Sequence, residues 1–436
     1  MSEIKPRTIH VVGSGGREYA IVRRLLDEDP GLRITAAPGS SSWLPLGVDV
    51  WPGVSVSDFQ GQLELAEQAD LTIIGPEQPL MDHYFTLRLR NKGCIVFGPD
   101  FDAAMLEGSK AFCAGFLRKI NIPAPAFEVF TVPEICLEWL SARDPSTLVI
   151  KADGLAAGKG VFLPDTEAEA ASIINDLMIK HTLGDAGKVV VIQERIFGPE
   201  CSVMVITDGK TVQCCRPVRD HKRLSDGDRG PNTGGMGVIG PLDIDMEKIQ
   251  LMAEAIVHGM EEWGCPFVGC LFLGLMQTVD NGLQVLEINC RFGDPEAIAL
   301  MALLTPKTSL LSVIDAAATG DLLGAPPLVW LPDKVVTVVL ASAGYPASST
   351  RGKPISGIDQ AIAAGAIVTH MGTSYDPESG VYCTAGGRVL AVTGLGSTFA
   401  RARDIAYAGV GQISFEGMQY RTDIGESIAA RDLRNV

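Results

Sequence analysis

The sequence predicts an α/β protein that opens on a doubly wound parallel sheet, then runs through a small lobe, a mixed central unit and a β-rich C-terminal unit. Three observations predict this. In the first hundred residues short apolar strands alternate with helical patterns, the β-α-β repetition of a parallel sheet. Proline-rich breaks at Ile122-Pro123-Ala124-Pro125 and Gly324-Ala325-Pro326-Pro327 interrupt the chain twice. A length of 436 residues, 46% of them hydrophobic, suffices for roughly three domains of about 150 residues each.

The elements follow in order. An apolar strand (Ile9 to Val12) meets a glycine turn and a helix (Glu18 to Leu26), then a strand (Arg33 to Ala37) and a helix (Phe59 to Gln68). Strand Leu71 to Ile74, a helix near Tyr84 to Lys92 and strand Cys94 to Phe97 complete the first unit. Gly108 to Lys119 reads as one helix, stopped by the first proline break. Phe127 to Glu194 is strand-rich around a helix near Glu167 to Lys180 and predicts a separate lobe. After the second break, strands Val335 to Ala341 and Arg388 to Val392 and a helix from Thr398 to Val410 predict the last unit.

Formal net charge is −16, with no run of Lys or Arg able to track a phosphate backbone, so nucleic acid is not an expected partner. The ten cysteines show no Cys-x-x-Cys pair, only the adjacent Cys214-Cys215, and each reads as a small buried hydrophobe. With no signal-peptide pattern and no 18-residue apolar run, the expectation is a cytoplasmic protein without a membrane partner or an evident obligate protein partner.

The densest chemistry lies in Leu283 to Glu296. Read as a strand, Gln284 to Asn289 turns Glu287 and Asn289 to one face and Leu286 and Ile288 to the other, apolar one. Arg291 follows on the polar side as the strand ends. One carboxylate and one amide oxygen form a poor cage for a dedicated metal. They suit Mg2+, which shares its octahedron with nucleotide phosphates.

Three glycine loops surround this strand in sequence. Gly13-Ser14-Gly15-Gly16-Arg17-Glu18 joins a strand to a helix, where free backbone N–H groups attract phosphate. A dinucleotide site is the rival reading, but the second strand ends in Ala36-Ala37-Pro38-Gly39, without the acid that would hold an adenosine ribose. Lys151 to Gly160 lacks the Ser or Thr of a Walker loop and runs into the strand-like Val161 to Leu163. It predicts a hairpin that closes over phosphates with its glycines, Gly158 among them, and offers Lys151 and Lys159 as counter-charges. Gly230 to Gly237 follows Asp220-His221-Lys222-Arg223. Its backbone donors, with Lys222 and Arg223, are suited to charge on a transferring phosphoryl or acyl phosphate group.

Taken together, Gly-x-Gly-Gly-Arg-Glu, Gly75-Pro76-Glu77-x-Pro79-Leu80, Leu106-Glu107-Gly108-Ser109-Lys110, Lys151 to Gly160, Asp220 to Gly237 and Glu287 to Glu296 resemble, in order, the glycinamide ribonucleotide synthetase (phosphoribosylamine-glycine ligase) family. The resemblance extends through Gly344-Tyr345-Pro346, Gly386-Gly387-Arg388-Val389-Leu390 and Tyr420-Arg421-x-Asp423-Ile424-Gly425. It implies an ATP-grasp ligase: an N-terminal Rossmann-like substrate domain (1–103), a central ATP-grasp domain (104–122 and 191–325), a mobile lid lobe (123–190) and a C-terminal domain (326–436). Its implied substrates are ATP, glycine and 5-phosphoribosylamine, with Mg2+ or Mn2+. It also implies that Lys110 and Lys151 contact ATP phosphates, that Gln193, Glu194, Arg195 and Ile196 form the hinge at the adenine edge, and that Glu200 meets the ribose. Glu287 and Asn289 would hold the metal and Arg291 would neutralise the transferred group. Gly15, Gly16, Arg17, Glu18, Glu77, Asp220, Asn232, Thr233, Gly234 and Asp294 are the expected substrate contacts.

The chain departs from the family pattern at Tyr19 (usually His), Gln193 (usually Glu), Val218-Arg219 (often Ser-Gln) and Ala297-Ile298 (usually Thr-Gln). These departures leave room for a paralogue joining another amino acid or amine. A nicotinamide oxidoreductase would rest on the first glycine loop alone. A non-catalytic nucleotide binder would have lost a metal ligand or phosphate lysine, and none is lost.

Overall fold

The computed structural model describes residues 6–156, 159–278 and 282–432. Five strands, β1 (Thr8–Gly13), β2 (Arg33–Pro38), β3 (Asp49–Val50), β4 (Leu71–Ile74) and β5 (Val96–Phe97), form an all-parallel sheet in the order β3-β2-β1-β4-β5. Helices α1 (Gly16–Glu28), α2 (Phe59–Ala66) and α3 (Phe85–Asn91) are its crossovers. The order reverses at β1, so the loop leaving β1 opens at a switch point, where doubly wound sheets bind ligands.

The helix expected over Gly108 to Lys119 is α5 (Lys110–Lys119), starting two residues later, and a further helix, α4 (Phe101–Gly108), precedes it. Ser109 takes an extended backbone and its hydroxyl caps Phe112 N–H at 3.1 Å, which restarts the helix at Lys110. Strands β6 (Phe127–Phe130), β7 (Leu148–Ala152), β8 (Val161–Phe162) and β9 (Val190–Glu194), with α6 (Pro133–Ser141) and α7 (Glu167–Ile174), make a small lobe ordered β6-β9-β7-β8. It has its own core around Phe130, Leu140, Ile150, Ile174 and Ile192. The predicted helix to Lys180 ends earlier, α7 passing into a π-helical turn over Asn175–Ile179.

The chain continues through β10 (Glu200–Asp208), β11 (Val212–Cys214), β12 (Arg219–Asp220), β13 (Arg223–Ser225), β14 (Arg229–Asn232), β15 (Gly237–Gly240), α8 (Met246–Glu262), β16 (Val268–Gln277), β17 (Leu283–Asn289), α9 (Glu296–Leu303) and α10 (Leu310–Thr319). The last stretch holds β18 (Lys334–Ala341), β19 (Pro354–Ile355), α11 (Ile358–Ala363), β20 (Ile367–His370), β21 (Thr373–Asp376), β22 (Val381–Thr384), β23 (Arg388–Gly396), α12 (Phe399–Val410) and α13 (Glu426–Asp432). One antiparallel sheet runs β11-β10-β16-β17. Another runs β12-β15-β18-β23-β20 and draws strands from both sides of the break at 325.

All ten cysteines are free, and among the described residues no helix is long and apolar enough to cross a membrane. Two histidines are buried: His10 in β1, bonded to Gln62 Oε1 (2.7 Å) and Thr35 Oγ1 (3.1 Å), and His370 in β20, bonded to Thr373 Oγ1 (2.8 Å). Burial pushes the pKa of each down to about 4 from 6.5. Groups depressed on folding contribute stability that is full above the unfolded pKa and is lost as pH falls through the folded one. The urea midpoint is therefore expected to decline already between pH 7 and pH 5, before carboxylates titrate. A midpoint flat over that range would show that these rings protonate without cost.

Candidate active site

A cleft of about 500 Å³ lies between the small lobe, the β10–β17 sheet and the loops leaving the first sheet. Eleven of the expected residues line it: Arg17, Glu77, Lys110, Lys151, Gln193, Thr233, Gly234, Glu287, Asn289, Arg291 and Asp294. Sequence separation between them reaches hundreds of residues, so the topology, not local pattern, assembles the site.

One wall is β17. Its pairing with β16 slips between Gly274 and Leu275, which face Glu287 and Val285, leaving Leu286 as a bulge. This corrects the simple alternation expected there. The buried apolar residues of the strand are Leu283, Val285 and Ile288, whereas Leu286 lines the cleft beside Glu287. The bulge also turns the Leu286 carbonyl to accept from Lys151 Nζ at 3.1 Å. Gly274 is required opposite: a Cβ there would lie 2.8 Å from Glu287 Cγ.

Lys222 and Glu200 are not among the residues lining the cleft, but Lys222 pairs with Glu287, which is. Lys222 Nζ sits 3.3 Å from Glu287 and 3.8 Å from Glu200, tying the expected metal ligand to the expected ribose ligand. Lys222 foremost holds the Glu287 carboxyl down at about 2, and Glu287 in turn raises the Lys222 ammonium. Both side chains keep about two-fifths of their surface open (42% and 38%), so water screens the pair and its worth to stability is small. Lys151 is pushed down to about 8 by burial, with Glu287 opposing. Lys110 Nζ lies 3.3 Å from the Gly154 carbonyl at the start of the hairpin.

Arg291 is held from two sides. Its Nε donates to Glu77 at 2.7 Å, and Nη2 lies 3.2 Å from Glu107, a member of the Leu106 to Lys110 motif to which the sequence assigns no role. Burial opposes the guanidinium charge, but Glu107 and Glu77 outweigh it and the pKa is raised. For Glu77 burial is likewise outweighed by Arg291 and the carboxyl is lowered; for Glu107 burial wins and it is raised. Farther along, Arg388 reaches from the C-terminal sheet to the Gly234 and Asp294 carbonyls and lies 3.2 Å from Asp294 Oδ1. Tyr345 Oη accepts from Gly234 N–H at 2.9 Å. Arg388 and Tyr345 belong to the motifs Gly386 to Leu390 and Gly344 to Pro346, whose local pattern does not show that they face this loop.

The glycine cluster is shaped by necessity at Gly235. Its φ is +109°, and a Cβ would sit 2.5 Å from Pro295 Cδ and 2.6 Å from Asp220 Oδ1. Asp220 lies behind the cleft wall, where burial and then Glu296 raise its pKa well above the usual range. Glu296 is itself raised by burial and accepts from Ser202 Oγ at 3.0 Å. Asp220 Oδ1 is buried without a hydrogen-bond partner, whereas Asp294 Oδ1 has the Arg388 guanidinium beside it.

Several expected residues are elsewhere engaged. Glu18 folds back on Gly15 N–H (2.7 Å) and takes Arg17 Nε (2.6 Å), so one of the backbone donors expected of the first glycine loop is already engaged. The reason is local: a Glu at the third helical position caps its own helix. Gly15, Gly16 and Glu18 do not line the cleft. Glu194 and Arg195 donate their backbone N–H groups to the Ala126 and Thr147 carbonyls, and Glu194, Glu200, Asn232 and Lys159 are exposed. Gly158 lies outside the described residues.

The departures mostly point away. Tyr19 is buried against Trp43 and His370 at ring separations of 6.1 and 5.3 Å, and Ala297 and Ile298 are fully buried on α9 against α1. None of the three lines the cleft. Gln193 alone among the departures faces the cleft.

A small lobe folding over a sheet that bears Glu287, Asn289 and Arg291, with lysines on the facing side, defines a nucleotide-dependent ligase of the ATP-grasp class. Family models agree along the chain: the phosphoribosylglycinamide synthetase N domain matches residues 7–107, its ATP-grasp (A) domain 108–297 and its C domain 335–427. The chain belongs to the phosphoribosylglycinamide synthetase family. It is 39% identical to a phosphoribosylamine–glycine ligase of Nostoc sp., over 95% of this chain and 98% of that one. It is 38% identical to the Pseudomonas aeruginosa ligase, over 97% and 98%. The crystal structure of the Thermotoga maritima ligase superposes with a TM-score of 0.81 at 33% identity, covering 96% of this chain and all of that one.

Proposed function

We propose that this chain joins glycine to 5-phosphoribosylamine at the expense of ATP, giving 5-phosphoribosylglycinamide, ADP and phosphate in de novo purine biosynthesis. The observation that carries the reading is Glu287, Asn289 and Arg291 on one wall of a cleft that also holds Lys110 and Lys151, in a chain with such relatives. A glycine carboxylate oxygen attacks the γ-phosphorus as the bond to the β-phosphate oxygen breaks, giving glycyl phosphate and ADP. The amine nitrogen then attacks the carbonyl, phosphate leaves and the nitrogen loses a proton. No protein base is needed for the first step, so the residues act by placement and charge.

Glu287 and Asn289 fit a shared Mg2+. Both are oxygen donors on the cleft side of β17, Glu287 is ionised, and among the described residues no group of three or more His, Cys, Asp or Glu side chains forms a dedicated metal cage. Bound there, the ion would neutralise phosphate charge. Lys110 and Lys151 hold the phosphates, Lys222 and Arg291 face the transferred group, and Glu77 keeps Arg291 in place. Thr233, Gly234 and Asp294, with Asp220 behind them, face the acceptor side, and Gln193 to Ile196 meet the adenine. With the N–H groups of 194 and 195 engaged, that edge is read by other atoms of the segment. The division into substrate domain (1–103), ATP-grasp domain (104–122 and 191–325), lid (123–190) and C-terminal domain (326–436) belongs to this reading.

The test is ADP release with fresh phosphoribosylamine, ATP and Mg2+, comparing glycine with alanine, serine and β-alanine and identifying products by mass. Turnover with glycine supports the reading; turnover only with another amino acid replaces it with a paralogous ligase. Lys222→Met is expected to lower kcat by about 10²-fold. Because the Lys222 ion pairs are solvent-screened, the melting temperature should hardly move. An unchanged kcat would place Lys222 outside the chemistry.

A further inference from the structure

We propose that Glu107 is a positioning residue: it fixes the Arg291 guanidinium in the cleft and registers it against the Lys110 segment. The inference rests on the function proposed above. Glu107 closes α4, is only 6% exposed, and grips two consecutive residues where β17 ends. One carboxylate oxygen accepts Cys290 backbone N–H at 2.7 Å, and the other lies 3.2 Å from Arg291 Nη2. Glu77 takes the Nε edge and the Phe292 carbonyl takes Nη1 at 3.3 Å, so the plane of the guanidinium is set on three sides.

The same short segment reaches the other wall. Ser109 Oγ donates to Asp153 at 2.9 Å, Ala111 N–H to the same carboxylate at 2.7 Å, and Lys110 Nζ lies near the Asp153 and Gly154 carbonyls. From Glu107 to Ala111, one stretch of backbone therefore connects Arg291 to the root of the glycine hairpin and to Lys110. A displacement of Arg291 relative to Lys110 would have to break a bond of Glu107.

Stability alone does not account for a carboxylate here. Burying an ion pair returns little net free energy relative to an apolar pair of similar size. Placement is a different matter, because a catalytic group 1 Å out of position can lose about 10²-fold in rate. Glutamine cannot replace the acid: it has one oxygen and one NH2, so it can serve Cys290 N–H or Arg291 Nη2 but must turn a donor toward the other.

The test is a double-mutant cycle on the full-length chain. Glu107→Gln is expected to lower kcat about 10²-fold, with KM for ATP and for glycine within about twofold of wild type. In an Arg291→Lys background the same change should add less than about threefold, because Glu107 acts through the arginine. If Glu107→Gln does not fold, judged by the lack of a cooperative thermal melt, Glu107→Asp carries the cycle: it keeps the charge but is one methylene too short to hold both partners. A near-wild-type kcat, or effects that multiply in the double variant, would overturn the inference. Wild-type protein giving no glycine-dependent product overturns the proposed function; ligation by wild type with an unaffected Glu107→Gln overturns this inference alone.

Discussion

Glu287→Ala abolishes glycine-dependent ADP release, by on the order of 10³-fold or more, while the fold survives. The loss is large because one side chain does two things: it is the only carboxylate of the proposed metal pair, and it is the counter-charge that gathers Lys222 and Lys151. The fold survives because β17 is held by its backbone ladder to β16, and the Glu287 side chain is more than a third open to solvent. Lys222 also retains Glu200. The measurement is ADP release beside a thermal melt. Full ADP release by the variant would remove Glu287 from the metal site, whatever the melt shows.

Arg291→Ala is expected to lose both activity and stability. Without the guanidinium, Glu77 and the buried Glu107 retain Arg17, which acts on both more weakly than Arg291 does. Breaking a buried pair by deleting one partner costs about 3–5 kcal/mol, since an uncompensated charge remains. The pH dependence gives a check of sign. In the wild type Glu77 is lowered by Arg291, so its contribution is present above about pH 4.5 and is lost as the pH falls. In the variant both carboxyls are raised by burial and mutual repulsion, so folding is favoured below the unfolded carboxyl pKa and weakens as pH rises. The stability gap between the two proteins should therefore narrow on going from pH 7 to pH 4.5 in urea titrations. A constant gap would mean the two acids are not the source of the loss.

Much of the first sheet is legible in the sequence because its strands are short apolar runs bounded by turns; Leu71 to Ile74 is read without error. The same holds for the glycine hairpin, where β7 and β8 pair Lys151 with Val161. What is not legible depends on distant partners. The bulge at Leu286 is set by the register of β16, and nothing in β17 announces it. Glu107 meets Cys290 across 183 residues and Arg388 meets Gly234 across 154, so a pattern read along the chain shows two ordinary charged residues. Glu18 fails differently. Its place three residues after Gly15 fits a capping box, while the neighbouring glycines fit a phosphate loop equally well, so the local pattern does not separate the two. Tyr19 and Ile298 mark departures from a family pattern, and only their burial against α1, α9 and His370 shows that they concern packing.

The sheet that binds β12 and β15 to β18, β23 and β20 bears on how this chain can be recombined. Gly237–Gly240 pairs residue by residue with Val335, Val336, Thr337 and Val338, so the loop carrying Lys222 and Thr233 grows from a ladder whose other half is nearly a hundred positions away. A chimera that takes its first 325 residues from one parent and the rest from another cuts this ladder between lineages. Crossover points that respect the molecule keep 219–240 and 334–396 from a single ancestor, and the linear order of the family's domains conceals that inheritance unit.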